Sequence, residues 1–252
     1  MTDAVKDLHS QWKEEYKAPF SGWDFSHLKD RLFDESPPWD YIEMARQLVQ
    51  KSEAVLDIGT GGGELFASLA PFSKHAVATE SWEPNIPVAR KKLEPTGVKV
   101  VGVKSEDDTP FKDGEFDTVL NRHADFKPAE IYRILRPGGT FLTQQVGGNN
   151  LWDLAEEFDA TLPYKKLTFD YWQREIQDAG LVLKQAEEWQ GKMEFMDIGA
   201  LAYFIKAVPW QVPGFDIDKD IHYLEKLHHK LENGEKLAYT QIRFLFQAEK
   251  PR

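Results

Sequence analysis

The run Val55-Leu56-Asp57-Ile58-Gly59-Thr60-Gly61-Gly62-Gly63-Glu64 constrains this chain most. Four residues of strand-like, mostly apolar character break into three glycines at alternate positions, and Leu65, Phe66 and Leu69 follow at helical spacing. A buried parallel strand that turns into a helix reads this way. Glycine admits positive φ and lets a ligand approach the main chain, so such a turn is suited to a phosphate or a nucleoside.

Strands and helices alternate on either side of this turn. Strands are expected over 53–58, 75–80, 98–103, 116–120 and 140–146. Helices are expected over 64–70, 85–93 and from Pro128 to just before Pro137-Gly138-Gly139. That alternation implies an α/β fold with a parallel sheet and right-handed crossovers. Upstream, Val5, Leu8, Trp12 and Tyr16 share one helix face. Ser36-Pro37-Pro38 reads as a capped helix start, with serine as N-cap and proline at the first helical position, and that helix runs to about Gln50. Downstream, a helix capped by Thr168 and closed by Gly180 precedes a strand over 181–187. Residues 217–232 form an amphipathic helix, and 242–248 a last strand. The 252 residues contain no repeat and no flexible linker, and they read as one compact domain with a helical insertion between the last two strands.

Bulk properties exclude several function classes. There is no cysteine, hence no disulfide, thiolate metal site or cysteine nucleophile. Residues 1–17 are charged and carry no signal-peptide core, and the longest apolar run, Ile198 to Ile205, is too short to span a bilayer. A cytoplasmic protein without membrane contact is the expectation. The net charge of −11 counts against a nucleic-acid partner, which rests on basic groups neutralising phosphates, and against a strongly anionic small substrate. Arg90-Lys91-Lys92 reads as a solvated helix face. His222, His228 and His229 share one helix without carboxylates at tetrahedral spacing, so no metal site is expected.

The glycine spacing separates two nucleoside cofactors. A dinucleotide turn requires G-x-G-x-x-G, and Glu64 stands where the third glycine would be. Asp57-Ile58-Gly59-Thr60-Gly61-Gly62-Gly63 resembles instead motif I of the class I S-adenosylmethionine (SAM) methyltransferases. Phe116-Asp117-Thr118-Val119-Leu120 resembles that family's fourth strand, and Leu135-Arg136-Pro137-Gly138-Gly139-Thr140-Phe141-Leu142 its turn into strand five. The resemblance covers about 50–148. It implies a Rossmann-like sheet, mostly parallel, of seven strands with one antiparallel, preceded by N-terminal helices and carrying a helical insertion before the last strand. In this reading residues 1–50 hold the N-terminal helices and a lid, 51–148 bind SAM, and 193–234 shape the substrate side.

The same resemblance implies site residues. Asp57, Gly59, Thr60, Gly61 and Gly63 would hold SAM at the turn. Glu80 would take both ribose hydroxyls, since its two oxygens suit a vicinal diol. Ser105-Glu106-Asp107-Asp108 stands where the family reads the adenine edge. The usual aspartate aligns with Ser105, so Ser105, Glu106 or backbone alone would make that contact. Asn121 is expected to touch SAM. His123 is the candidate catalytic base, where a histidine that structures its loop or contacts SAM sterically is the competing reading. The sulfonium already activates its methyl group, so catalysis is largely in-line positioning, and a base serves only a nucleophile that must lose a proton. Trp23, in the aromatic stretch 16–25, is expected to cover the cofactor. Trp152, Trp172, Trp189 and Trp210 are candidates for an acceptor pocket. The resulting expectation is a SAM-dependent methyltransferase acting on a small molecule. Its rivals are an enzyme like the rRNA guanine methyltransferases and a non-catalytic SAM-binding protein.

Overall fold

The computed structural model describes residues 3–21, 23–105 and 109–252. The described chain divides into two compact units. One comprises Pro38–Val146, Thr168–Trp189 and Arg243–Arg252; the other comprises the segment up to Pro37, Gly147–Leu167 and Gln190–Ile242.

The first unit is built as the alternation requires. Its helix α2 (Tyr41–Val49) leads into β2 (Ala54–Ile58), α3 (Glu64–Ala67), β3 (His75–Glu80), α4 (Ile86–Leu93) and β4 (Lys99–Gly102). The chain then crosses back to β5 (Phe116–Arg122), α5 (Pro128–Ile134) and β6 (Leu135–Val146), and α7 (Phe169–Asp178) follows. Strand β2 pairs parallel with β3 on one side and β5 on the other; β3–β4 and β5–β6 are also parallel. Every residue of β2 is buried, the pattern of a strand covered on both faces. Val55, Leu120, Leu142 and Leu245 pack with Phe66, Leu69, Ala89 and Leu93 in one apolar core.

The second unit holds α1 (Asp3–Lys17), β1 (Leu32–Asp34), α6 (Trp152–Glu157), α8 (Ile198–Ala207) and α9 (Ile221–Glu232). Two long strands, β7 (Val182–Phe195) and β8 (Leu237–Glu249), run through both units. Nine of the ten residues of α8 are buried, as a helix apolar all round must be. They pack with Trp12, Phe195, Leu224 and Tyr239 in a separate core.

Several expectations are corrected. The sheet has eight strands rather than seven, in the order β1-β7-β8-β6-β5-β2-β3-β4, and the pairings β6–β8 and β1–β7 are both antiparallel, against the expectation of one antiparallel strand. The extra strand β1 has three residues, too few to show a period, and exists by pairing Leu32 with Phe195. The cap of α2 is Asp40, whose side chain accepts from Glu43 N–H at 3.0 Å, not Ser36. A residue before proline is pushed out of the α region, so Pro37-Pro38 delays the helix. The strand after α5 begins at Leu135, and its register with β5 jumps from Phe116↔Leu135 to Thr118↔Thr140 across the Pro-Gly-Gly bulge.

Candidate functional site

The crossing-back of the chain puts β2 and β5 side by side with connections leaving in opposite directions, Ile58 opposite Asn121 at their C-terminal ends. Open α/β sheets bind ligands at such a switch point, beyond the carboxyl ends of the strands. The glycine turn lies here. Gly59, Gly61 and Gly63 have φ of 67°, 63° and 84°, a left-handed conformation that a residue with Cβ adopts at a cost. At Gly59 a Cβ would also lie 2.2 Å from the Ala124 Cβ.

The turn is tied to β3. Thr60 N–H donates to the Thr79 carbonyl at 2.9 Å, and Gly59 N–H to the Thr79 hydroxyl at 3.3 Å. The next residue, Glu80, is 5 % exposed. Its carboxylate accepts Trp82 N–H at 2.7 Å and is within reach of Gly61 N–H, Ser81 N–H and the Asn85 side chain. Burial nonetheless wins over these donors and raises the Glu80 pKa above the ordinary glutamate value. Trp82 itself is 65 % exposed. Asp57 is buried at the end of β2, and burial together with the Asp57 charge raises the pKa of Tyr41 well above its usual value. The Thr60 hydroxyl is buried and has no hydrogen-bond partner among the described residues.

Asn121 is fully buried and strongly committed to the protein. Its Oδ1 accepts Thr143 Oγ1–H at 2.9 Å and Gln145 Nε2–H at 2.5 Å, its Nδ2 donates to the Ile58 carbonyl at 3.3 Å, and its own carbonyl accepts Tyr41 O–H at 3.0 Å. This network joins β2, β5, β6 and α2 beneath the turn.

His123 follows β5 directly, with φ of 59° and its N–H bonded to the Gln144 carbonyl at 2.9 Å. The side chain is exposed by area, yet protein is dense around it at longer range. That desolvation, then the charges of Arg122 and Arg243, pull its pKa well below the ordinary imidazole value.

The structure therefore brings Asp57, Gly59, Thr60, Gly61, Gly63 and Glu80 together, with Asn121 and His123 at the neighbouring strand end. Ser105 is exposed, three residues beyond Gly102, which pairs with Glu80. Glu106 lies outside the described residues, as do Asp107, Asp108 and Gly22. Trp23 belongs to the other unit, where it is 49 % exposed and lies 5.7 Å from the Phe20 ring and 5.8 Å from that of Trp210. Sequence reasoning missed Trp82, Trp39, Tyr41 and Gln144. Trp82 alone carried a signal, an aromatic residue two positions after the strand-end acid.

Residues 56–143 match the family described as Methyltransferase domain. The chain has the fold of several solved structures. A Bacillus halodurans protein named as a candidate methyltransferase is 21 % identical, with a TM-score of 0.61 over 84 % of this chain and 99 % of that one. The [4+2]-cyclase SpnF is 11 % identical, with a TM-score of 0.54 over 98 % and 94 %. A geranyl diphosphate methyltransferase in complex with SAM is 14 % identical, with a TM-score of 0.51 over 83 % and 84 %. In sequence, 167 residues are 30 % identical to chondramide synthase cmdD of Chondromyces crocatus. That stretch is 58 % of this chain, which spans 4 % of the length of that relative. No helix among the described residues is long and apolar enough to cross a membrane.

Proposed function

We propose that this chain binds SAM at the glycine turn and transfers its methyl group to a small-molecule acceptor. The observation that carries the reading is the convergence of Gly61 N–H and the buried Glu80 carboxylate beside a buried, unpartnered Thr60 hydroxyl. A buried acid raised in pKa gains from new donors, and a vicinal ribose diol supplies two. The orphan hydroxyl and the close approach that the glycines permit suit the same ligand. The methyltransferases of known structure with this fold include one solved with SAM.

In this reading SAM supplies an electrophilic methyl group. Glu80 holds the ribose, and Trp82, exposed next to it, offers a π-face to the adenine. Ser105 or Glu106 contacts the adenine edge. Gly59, Thr60, Gly61 and Gly63 form the bed of the methionine moiety, with Asp57 beneath them. Asn121 fixes the strand ends on which that bed rests. Catalysis then consists of aligning the acceptor atom with the methyl group. A cytoplasmic location fits the cysteine-free composition.

Calorimetry with SAM and S-adenosylhomocysteine tests the binding: both should bind, and NADH should not. Transfer of label from methyl-labelled SAM to a panel of small oxygen and nitrogen nucleophiles tests the chemistry. Tight SAM binding with no transfer to any of them would favour a binding protein. Salt-sensitive tight binding of RNA would favour the RNA-modifying rival.

A further inference from the structure

The indole Nε1–H of Trp39 donates to Gln144 Oε1 at 2.7 Å. An indole nitrogen can only donate, so this contact decides which end of the Gln144 amide faces Trp39. The opposite end, Nε2, lies 2.9 Å from His123 Nε2. An amide nitrogen also only donates, so the imidazole nitrogen facing it must be bare and accepting. A neutral imidazole that is bare at Nε2 carries its hydrogen on Nδ1. The relay sits on firm ground: Gln144 is buried in β6, Trp39 is half-buried against the apolar core, and the His123 backbone is bonded to the Gln144 carbonyl.

The arrangement disfavours protonation. A proton on Nε2 would confront the Gln144 NH2 group at 2.9 Å, donor against donor. The charged groups acting on the ring are Arg122 on β5 and Arg243 on β8, both cationic. Among the described residues, no carboxylate forms an ion pair with His123 and nothing accepts from its Nδ1–H. The ring is nonetheless exposed, at the switch point, one residue from the Ala124 methyl that abuts the glycine turn.

We propose that the Trp39–Gln144 relay holds His123 as a fixed Nδ1–H donor, and that this donor grips an oxygen of the acceptor substrate, a carbonyl, carboxylate or phenolic oxygen. The tautomer follows from this chain's own hydrogen bonds; only the word acceptor rests on the methyl-transfer reading. His123 then orients the substrate and takes no proton from it, so the methylated atom either needs no base or arrives ionised. The assigned substrate class is a molecule with a hydrogen-bond-accepting oxygen close to the nucleophilic atom.

Long-range proton–nitrogen correlation spectra of the nitrogen-15-labelled chain read the tautomer directly. We expect a bare Nε2 and a protonated Nδ1 at pH 7, the reverse of the preference of free histidine in water. Gln144→Glu replaces the facing donor with an acceptor, and the hydrogen should move to Nε2. Trp39→Phe releases the amide and should yield mixed tautomers, a second route if Gln144→Glu fails to fold. Benzoate, as a carboxylate probe added to the protein saturated with S-adenosylhomocysteine, should shift the Nδ1 and Hδ1 resonances of the wild type and leave those of Gln144→Glu unmoved. A ring protonated at Nε2 or cationic at pH 7 in the wild type overturns the proposal, and unmoved Nδ1 resonances with benzoate overturn its oxygen-gripping half. Failure of S-adenosylhomocysteine to bind by calorimetry would instead remove the methyl-transfer reading and leave the tautomer result standing.

Discussion

A proton and SAM should compete for Glu80. The residue is 5 % exposed, and burial raises its pKa even though backbone donors at Trp82, Gly61 and Ser81 oppose the shift. The folded protein therefore binds this proton more tightly than the unfolded chain, whose glutamate titrates near 4.5. The linkage sign follows: Glu80 contributes stability to the ligand-free fold below pH 4.5, and that contribution is lost as pH rises through the raised folded value. Two ribose hydroxyls need the ionised form, so SAM binding should expel the proton. Below the folded pKa, affinity should fall about tenfold per pH unit, the limiting slope for one coupled proton. Hydrogen bonds to a charged acceptor are each worth about 1.5–3 kcal/mol, so losing both with Glu80→Ala at pH 8 should weaken SAM by roughly 10²- to 10⁴-fold. Titration calorimetry in two buffers of different ionisation enthalpy measures both the affinity and the released proton. A SAM affinity flat from pH 4.5 to pH 8, or a Glu80→Ala variant that binds like wild type, would refute the reasoning.

Other outcomes are expected at neighbouring positions. Gly59→Ala should destabilise the fold by about 2–5 kcal/mol in urea unfolding, since it combines left-handed strain with overpacking against Ala124, and Ala124→Gly in the same chain should recover the overpacking part. Thr60→Val removes a buried hydroxyl that has no partner; the ligand-free protein should melt no lower, while SAM binding by calorimetry weakens by about 1 kcal/mol. The depressed pKa of His123 means the unfolded chain binds that proton more readily, so stability should fall as pH drops below 6.5, and His123→Gln should flatten that part of the stability–pH curve. If Trp23 covers the ligand, S-adenosylhomocysteine should slow hydrogen exchange over 16–25 as well as around 57–64 and 80; protection confined to the latter two makes the aromatic cluster structural.

Local pattern made much of the first unit legible. The alternation of elements, the three glycines that need positive φ, the strand end at Glu80 and the Thr168 cap are all short-range: each depends on residues within a few positions, and each is found where the sequence puts it. What the sequence hid depends on partners far along the chain. Strand β1 has no period of its own and forms because β7, some 160 residues later, offers it an edge. The division of the chain into two units, each with a core drawn from separate segments, has no signal in composition or spacing. His123 could be picked out as a candidate, but its chemical state could not. That state is set by a glutamine 21 residues away on β6, whose orientation is set in turn by an indole 105 residues from it in the chain. Backbone conformation is written in neighbours, and periodicity reports it; hydrogen-bond polarity at a site is written by whatever tertiary packing brings within 3 Å, and no periodicity reports that.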